Sequence, residues 1–246
     1  MNPHLGEDID PEILDRITRL LAGTYTAENN KENAQLRELA FWRWVAYEGY
    51  GGQPPESFPE HQRSFMSKCY DKTGWAKDRF SNSAIFELGC GPLGMIEFIP
   101  FEKGYAFDPL NSHYSKLFRN VRSKDIHYLW KESQLSEIPR VDFGICFNVL
   151  DHTPDAKAYF DLFVSKIIHG GAFLIQVNTV RPEFQRAAEH EAMHPSPLTF
   201  EQINSWVEAI SRDVKYEVSS QPSVDNEFFF MCWGTKFLAD YENDFS

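Results

Sequence analysis

Residues 84–94 read AIFELGCGPLG, a short apolar run that carries one carboxylate, Glu87, and closes on three glycines in the pattern G-x-G-x-x-G. The run has the length and composition of a buried strand, and the glycines permit a tight turn whose backbone N–H groups can face a ligand. The reading places this loop between a strand and a helix, the setting in which such a pattern binds a nucleotide-like molecule. The next apolar run, GYAFD (104–108), ends on Asp108, where an acid can take both hydroxyls of a ribose.

Beyond the loop, DIHYLW (125–130), VDFGICFNVL (141–150) and GGAFLIQVN (170–178) read as further strands. A helix is expected between the last two, with Thr153 as N-cap and Pro154 in the first helical position. Its apolar stripe is Ala156, Tyr159, Phe160, Phe163, Val164 and Ile167, and Gly170-Gly171 ends it. Thr199 and Gln202 form a capping box. YEVSS (216–220) and NEFFFMCWGTK (226–236) read as two closing strands joined by a polar turn. This alternation predicts an α/β fold, a doubly wound and mostly parallel sheet with an antiparallel hairpin at one edge.

Residues 1–80 have a different texture. DPEILDRITRLLAG (10–23) is an amphipathic helix stopped by Gly23, and NAQLRELAFWRWVAYEGYGG (33–52) is an aromatic-rich helix. QPPESFPE (53–60) reads as a loop before a third helix in HQRSFMSKCYDKTGW (61–75). The expected division is a helical cap or lid over 1–80 and a ligand-binding domain over 81–246.

The charge balance narrows the ligand. With 24 Lys and Arg against 36 Asp and Glu the net charge is -12, which disfavours nucleic acid as a partner. The four cysteines (69, 90, 146 and 232) form no C-x-x-C pair, so neither a disulfide framework nor a zinc site is expected and a reducing cytoplasm is. No apolar run approaches the roughly 20 residues of a membrane span, and the first residues lack the order of a signal peptide. At the loop itself, a dinucleotide would bring a pyrophosphate, which Glu87 would repel. A ligand bearing an ammonium and a sulfonium would be attracted.

IFELGCGPLG, GYAFDPL, VDFGICFNVLDHTPD and GGAFLIQVN together resemble the ordered motifs of the class I S-adenosylmethionine-dependent methyltransferases, over residues 84 to 180. The resemblance implies a Rossmann-like seven-stranded sheet with its last strand inserted antiparallel, preceded here by an N-terminal helical extension. It implies S-adenosylmethionine as cofactor, with Glu87, Gly89 and Gly91 under the methionine portion and Glu87 acting on the amino group. Asp108 would hold the ribose, Pro109 and Leu110 would flank the adenine, and Asn148 would lie beside the sulfonium. After the third strand the chain reads WKESQL, a departure from the family's pattern that leaves Glu132 and Ser133 as the readers of the adenine edge. Arg37 or Arg63 would meet the methionine carboxylate.

A hydroxyl acceptor needs a base, and histidine is the common one. His194 is the first candidate and His152 the second, with His190 one helical turn before His194. Asp151 with His152, or His190 with His194, makes only a pair of ligands, so no metal is expected. FNVLDH replaces the N-P-P-Y type motif that resembles methyltransferases of planar amino nitrogens. The acceptor expected is an oxygen of a small molecule or glycan precursor. The stripe of Phe41, Trp42, Trp44, Tyr47 and Tyr50 reads first as the buried side of its helix, with a roof over the cofactor or a stacking surface for the acceptor as the alternative. The competing readings are a nicotinamide-dependent oxidoreductase, which lacks a Tyr-x-x-x-Lys here, and a non-catalytic protein of the same fold.

Overall fold

In the computed structural model, which describes residues 7–27, 30–183, 193–220 and 227–237, the apolar runs become strands. They are β1 (Ala84–Leu88), β2 (Lys103–Phe107), β3 (Ile126–Leu129), β4 (Val141–Phe147), β5 (Ile167–Val180), β6 (Lys215–Ser220) and β7 (Glu227–Thr235). They form one seven-stranded sheet in the order β3-β2-β1-β4-β5-β7-β6. The first five pair in parallel. β7 lies antiparallel between β5 and β6, with Ala172 opposite Thr235 and Val180 opposite Glu227. The sheet topology is the one the motifs imply.

Six α-helices are described: α1 (Pro11–Leu21), α2 (Asn30–Glu48), α3 (Phe58–Lys72), α4 (Asn111–Leu117), α5 (Ala156–Ser165) and α6 (Phe200–Ile210). One face of the sheet packs Phe86, Phe173 and Phe230 against Phe160 and Phe163 of α5 and Val207 of α6. The other packs Ile85, Ile145 and Leu174 against Met66, Cys69 and Tyr70 of α3. α1 and α2 join α4 in a third cluster around Leu39, Val45, Phe58 and Phe118. The N-terminal helices therefore share apolar cores with the sheet, at roughly 25 cal/mol per Å² of apolar area removed from water. Among the described residues no helix is long and apolar enough to cross a membrane, and all four cysteines are free and buried.

Several local expectations change. The helix expected after the glycine loop is a single 3-10 turn, Met95–Phe98. Only eight residues separate Gly94 from β2, and Pro100, which cannot donate within a helix, stands among them. The N-cap of α5 is Asp155, whose carboxylate accepts from the Ala158 amide at 3.0 Å. Thr153 spends its hydroxyl on the Leu150 carbonyl instead. Ile167 opens β5 and does not close α5. β4 ends at Phe147, because Asn148 takes φ +54° and turns the chain out of the sheet. α3 starts at Phe58, with Pro59 in its first turn where proline is tolerated. The capping box at Thr199 and Gln202 is present, with both bonds made.

Candidate active site

The glycine loop is held from below by β2. Gly89 and Cys90 both donate to the Phe107 carbonyl, at 2.7 and 3.3 Å. Gly89 has φ +69°, and a β-carbon there would stand 1.6 Å from Cγ2 of Val149, so sterics and backbone both demand glycine. Gly91 has φ +54° and donates its N–H to Oδ2 of Asp108 at 3.0 Å. The other oxygen of Asp108 accepts from Leu110 at 2.8 Å. Asp108 thus clamps the loop, while a carboxylate's remaining lone pairs stay available to a ligand. Burial, and then the nearby carboxylate of Glu38, push its pKa up to about 7 against these two N–H bonds.

Glu87 is fully buried and its two oxygens accept from Met95 and Ile96, each at 2.9 Å. It caps the 3-10 turn, which satisfies amides that would otherwise be orphaned at the start of a turn. Burial outweighs those bonds and pushes its pKa up to about 8. Glu87 thus supports the loop from beneath and also borders the cavity.

A buried polar layer fixes the loop further. The side-chain amide of Asn111 donates to the carbonyls of Ala106 and Leu129, at 3.1 and 2.8 Å, and its oxygen accepts from Arg122 at 2.7 Å. The Arg122 guanidinium lies 3.6 Å from the centre of the Tyr128 ring, and Tyr128 donates to Glu97. Cys90 touches Asn111 and is buried, which pushes its thiol well above the ordinary value and leaves it inert as a nucleophile.

Opposite the loop, the ends of β4 and β5 carry a chain of amides. Gln176 donates to Asn178 at 3.1 Å, Asn178 donates to Asn148 at 3.0 Å, and the Asn148 amide lies 3.4 Å from Nε2 of His152. Asparagine tolerates the left-handed backbone that Asn148 adopts. The rings of His152 and His194 have centroids 4.2 Å apart, and Nε2 of His194 is 3.9 Å from the carboxylate of buried Asp151. His190 lies outside the described residues.

These elements enclose one cavity of about 510 Å³ at the carboxyl ends of the parallel strands, where open α/β sheets bind ligands and within the size range of small-molecule sites. Its wall includes Glu87, Gly89, Gly91, Asp108, Pro109, Asn148, His152 and His194, along with Phe41, Trp42 and Tyr50 from the N-terminal helices. Trp44 and Tyr47 are instead exposed, and Leu110 is in the core. Glu132 and Ser133 are exposed at a 3-10 turn and stand off the wall. Glu132 is turned toward Lys31 and the hydroxyl of Tyr159, which hold its pKa low. Arg37 bonds Asn33 and Arg63 pairs with Glu60, and neither reaches the wall.

No family model matches the sequence, and no curated protein does. Solved structures do match. N-methyltransferase NodS from Bradyrhizobium japonicum, in complex with S-adenosyl-L-homocysteine, aligns at TM-score 0.57 and 15% identity over 85% of this chain and 99% of that one. Phosphoethanolamine N-methyltransferase 2 of Haemonchus contortus, with phosphomonomethylethanolamine and S-adenosylhomocysteine, aligns at TM-score 0.60 and 11% identity, over 86% of this chain and 61% of that one. An O-methyltransferase family protein from Burkholderia thailandensis gives TM-score 0.52 and 12% identity over 86% and 72%. The chain has the class I methyltransferase fold.

Within that methyltransferase fold, a reading of the sequence misses several wall residues, among them Gln35, His61 and Gln62 as well as Glu38, Lys31, Gln176 and Asn178. Glu38 accepts from Trp42 at 3.3 Å and raises Asp108, but in sequence it is one acid on a helix. Gln176 and Asn178 do leave a signal, as polar positions inside the apolar run of β5. Lys31 leaves none.

Proposed function

We propose that this chain is an S-adenosylmethionine-dependent methyltransferase whose acceptor is an oxygen of a small molecule or of a sugar or glycan precursor. The observation that carries the reading is the charge of the cavity wall. Glu38, Glu87 and Asp108 line it, and among the described residues Lys31 is its one lysine or arginine, already paired with Glu132. Burial holds the pKa of Glu87 up to about 8 and that of Asp108 to about 7. A cationic ligand is favoured because it draws these carboxyls into their ionised form, whereas a pyrophosphate meets acidic groups it cannot pair with. The inserted antiparallel β7 also favours this reading over a nicotinamide oxidoreductase, whose dinucleotide-binding sheet is mostly parallel.

The residues present fit the cofactor. Gly91 has open space above its α-carbon, and Asp108 keeps lone pairs beside it for ribose hydroxyls. Pro109 flanks the adenine, and Asn148 borders the reacting centre. When bound, S-adenosylmethionine supplies an activated methyl group. The chain's own part is to align the acceptor and exclude water, with the N-terminal helices as cap, and to take the acceptor's proton at His194 or His152. The four buried free thiols suit a reducing cytoplasm.

Calorimetry with S-adenosylmethionine, S-adenosylhomocysteine and NAD tests the cofactor. Methyl release over a panel of hydroxylated metabolites and nucleotide sugars tests the acceptor. Tight NAD binding with no response to S-adenosylmethionine would sink the reading.

A further inference from the structure

Two separate pairs in the sequence, Asp151 with His152 and His190 with His194, suggest no metal because each lacks a third ligand. The fold takes one member from the second pair and adds it to the first. Asp151, His152 and His194 bring a carboxylate oxygen and two imidazole nitrogens within 4.8 Å of one another. Asp151 is fully buried, His194 is 6% exposed and His152 is half-buried.

The arrangement is built, not incidental. Asp151 and His152 sit on the turn after β4, and the segment bearing His194 is laid against that turn. Ser196 donates its N–H to the Asp151 carbonyl at 3.1 Å and its hydroxyl to the Thr153 carbonyl at 2.6 Å. Leu198 then accepts from Val180 at the end of β5, at 2.8 Å. Bonds at Ser196 and Leu198, just after His194 in the chain, therefore tie its segment to that turn and to the end of β5.

We propose that Asp151, His152 and His194 hold one divalent transition-metal ion, with its remaining coordination positions open to the cavity. The 3.9 Å between Nε2 of His194 and the Asp151 oxygen is too long for a hydrogen bond. Two ligands about 2.1 Å from one ion stand roughly 3.4 Å apart at the tetrahedral angle, so this pair closes on an ion with a shift of about half an ångström. Two imidazoles and one carboxylate select zinc, manganese, iron or cobalt over magnesium and calcium, which require oxygen ligands. Three protein ligands with open positions is the pattern of a catalytic site; structural sites are closed by four. Both histidines border the cavity, so the open positions face the acceptor. Resting on the function proposed above, the ion would bind the acceptor oxygen and lower the pKa of its hydroxyl, whose proton passes to water in the cavity. The oxygen then forms its bond to the methyl carbon as the carbon–sulfur bond of the sulfonium breaks, and the histidines act as ligands in place of a general base.

The test uses the full chain, stripped with a chelator and titrated with cobalt(II) chloride. The expected result is one ion per chain, with the visible absorption of nitrogen-ligated cobalt, and affinity weakened about tenfold or more in each of His152→Ala, His194→Ala and Asp151→Asn. Absence of saturable one-to-one binding overturns the proposal, and so does unchanged affinity in the two histidine variants. Should Asp151→Asn fail to melt cooperatively, the histidine variants decide alone. S-adenosylmethionine binding by calorimetry on the stripped wild-type protein separates failure of the metal site from failure of the methyltransferase reading.

Discussion

A β-carbon on Gly94 would stand 2.3 Å from Oε2 of Glu87. The third glycine of the loop therefore makes room for a carboxylate, not for a ligand. Gly94→Ala should displace that carboxylate from the Met95 and Ile96 amides and cost about 1–3 kcal/mol, the penalty for leaving buried polar groups unsatisfied. Denaturant unfolding of Gly94→Ala, Glu87→Ala and the double variant checks this. The double variant should be less destabilised than the sum of the singles, and strict additivity would contradict the relationship.

Stability should fall as pH rises through the neutral range. Glu87 is raised from 4.5 to about 8 and Asp108 from 3.8 to about 7. Between those limits the folded state binds more protons than the unfolded one, so the stability they confer is full below about pH 4 and lost as pH climbs through the folded values. Glu87→Gln, which never ionises, should lower stability at pH 5 and flatten the decline between pH 5 and 8. Melting temperatures of the ligand-free protein across that range provide the measurement.

Binding of S-adenosylmethionine near pH 7 should release protons. Hydroxyl donors on Asp108 and positive charge in the cavity both favour the ionised carboxylates, so the pKa raised in the free protein falls on binding. Calorimetry in buffers of different ionisation enthalpy reads the release directly, and proton uptake would be the signature of a bound anion. Asp108→Asn should weaken binding by about tenfold or more, the value of a hydrogen bond to a charged group, and should reduce the release.

His152→Ala and His194→Ala should each lower kcat by about a hundredfold or more, whether the side chain removed takes the acceptor's proton or holds the ion that activates the acceptor hydroxyl, with little change in KM for S-adenosylmethionine. His152 is half-buried, so its variant should melt close to the wild type, whereas His194→Ala empties a buried position. A variant at either position with unchanged kcat would remove that residue from the chemistry.

The sheet was legible because its strands are short, apolar and punctuated by Gly, Pro and Asp, features that follow from local geometry. Gly89, Gly91 and Asp108 were legible for the same reason: a tight turn and a strand end lie within 20 residues of each other. Glu87 was legible as a carboxylate at the strand tip, but the Met95 and Ile96 amides it caps were not, since they belong to a turn whose helical length the pattern overstated. Glu132 and Ser133 follow a strand as a reader should, yet Glu132 stands behind the wall, bonded to Lys31 and Tyr159, which line it and lie far off in sequence. The Asp151–His152–His194 trio spans two loops, and only backbone bonds such as Ser196 to Asp151 bring it together. Periodicity carries no trace of such a meeting.

β6 pairs with β7 and with no other strand, while β7 fills the place between it and β5. The order in which the ribosome makes these strands is thus not the order in which they can dock. β6 has no contact edge on the sheet but the one that residues 227–235 bring, and the two antiparallel neighbours can join β5 as one hairpin. Phe229 of β7 is part of the cavity wall, so the pocket is complete only once that hairpin has docked.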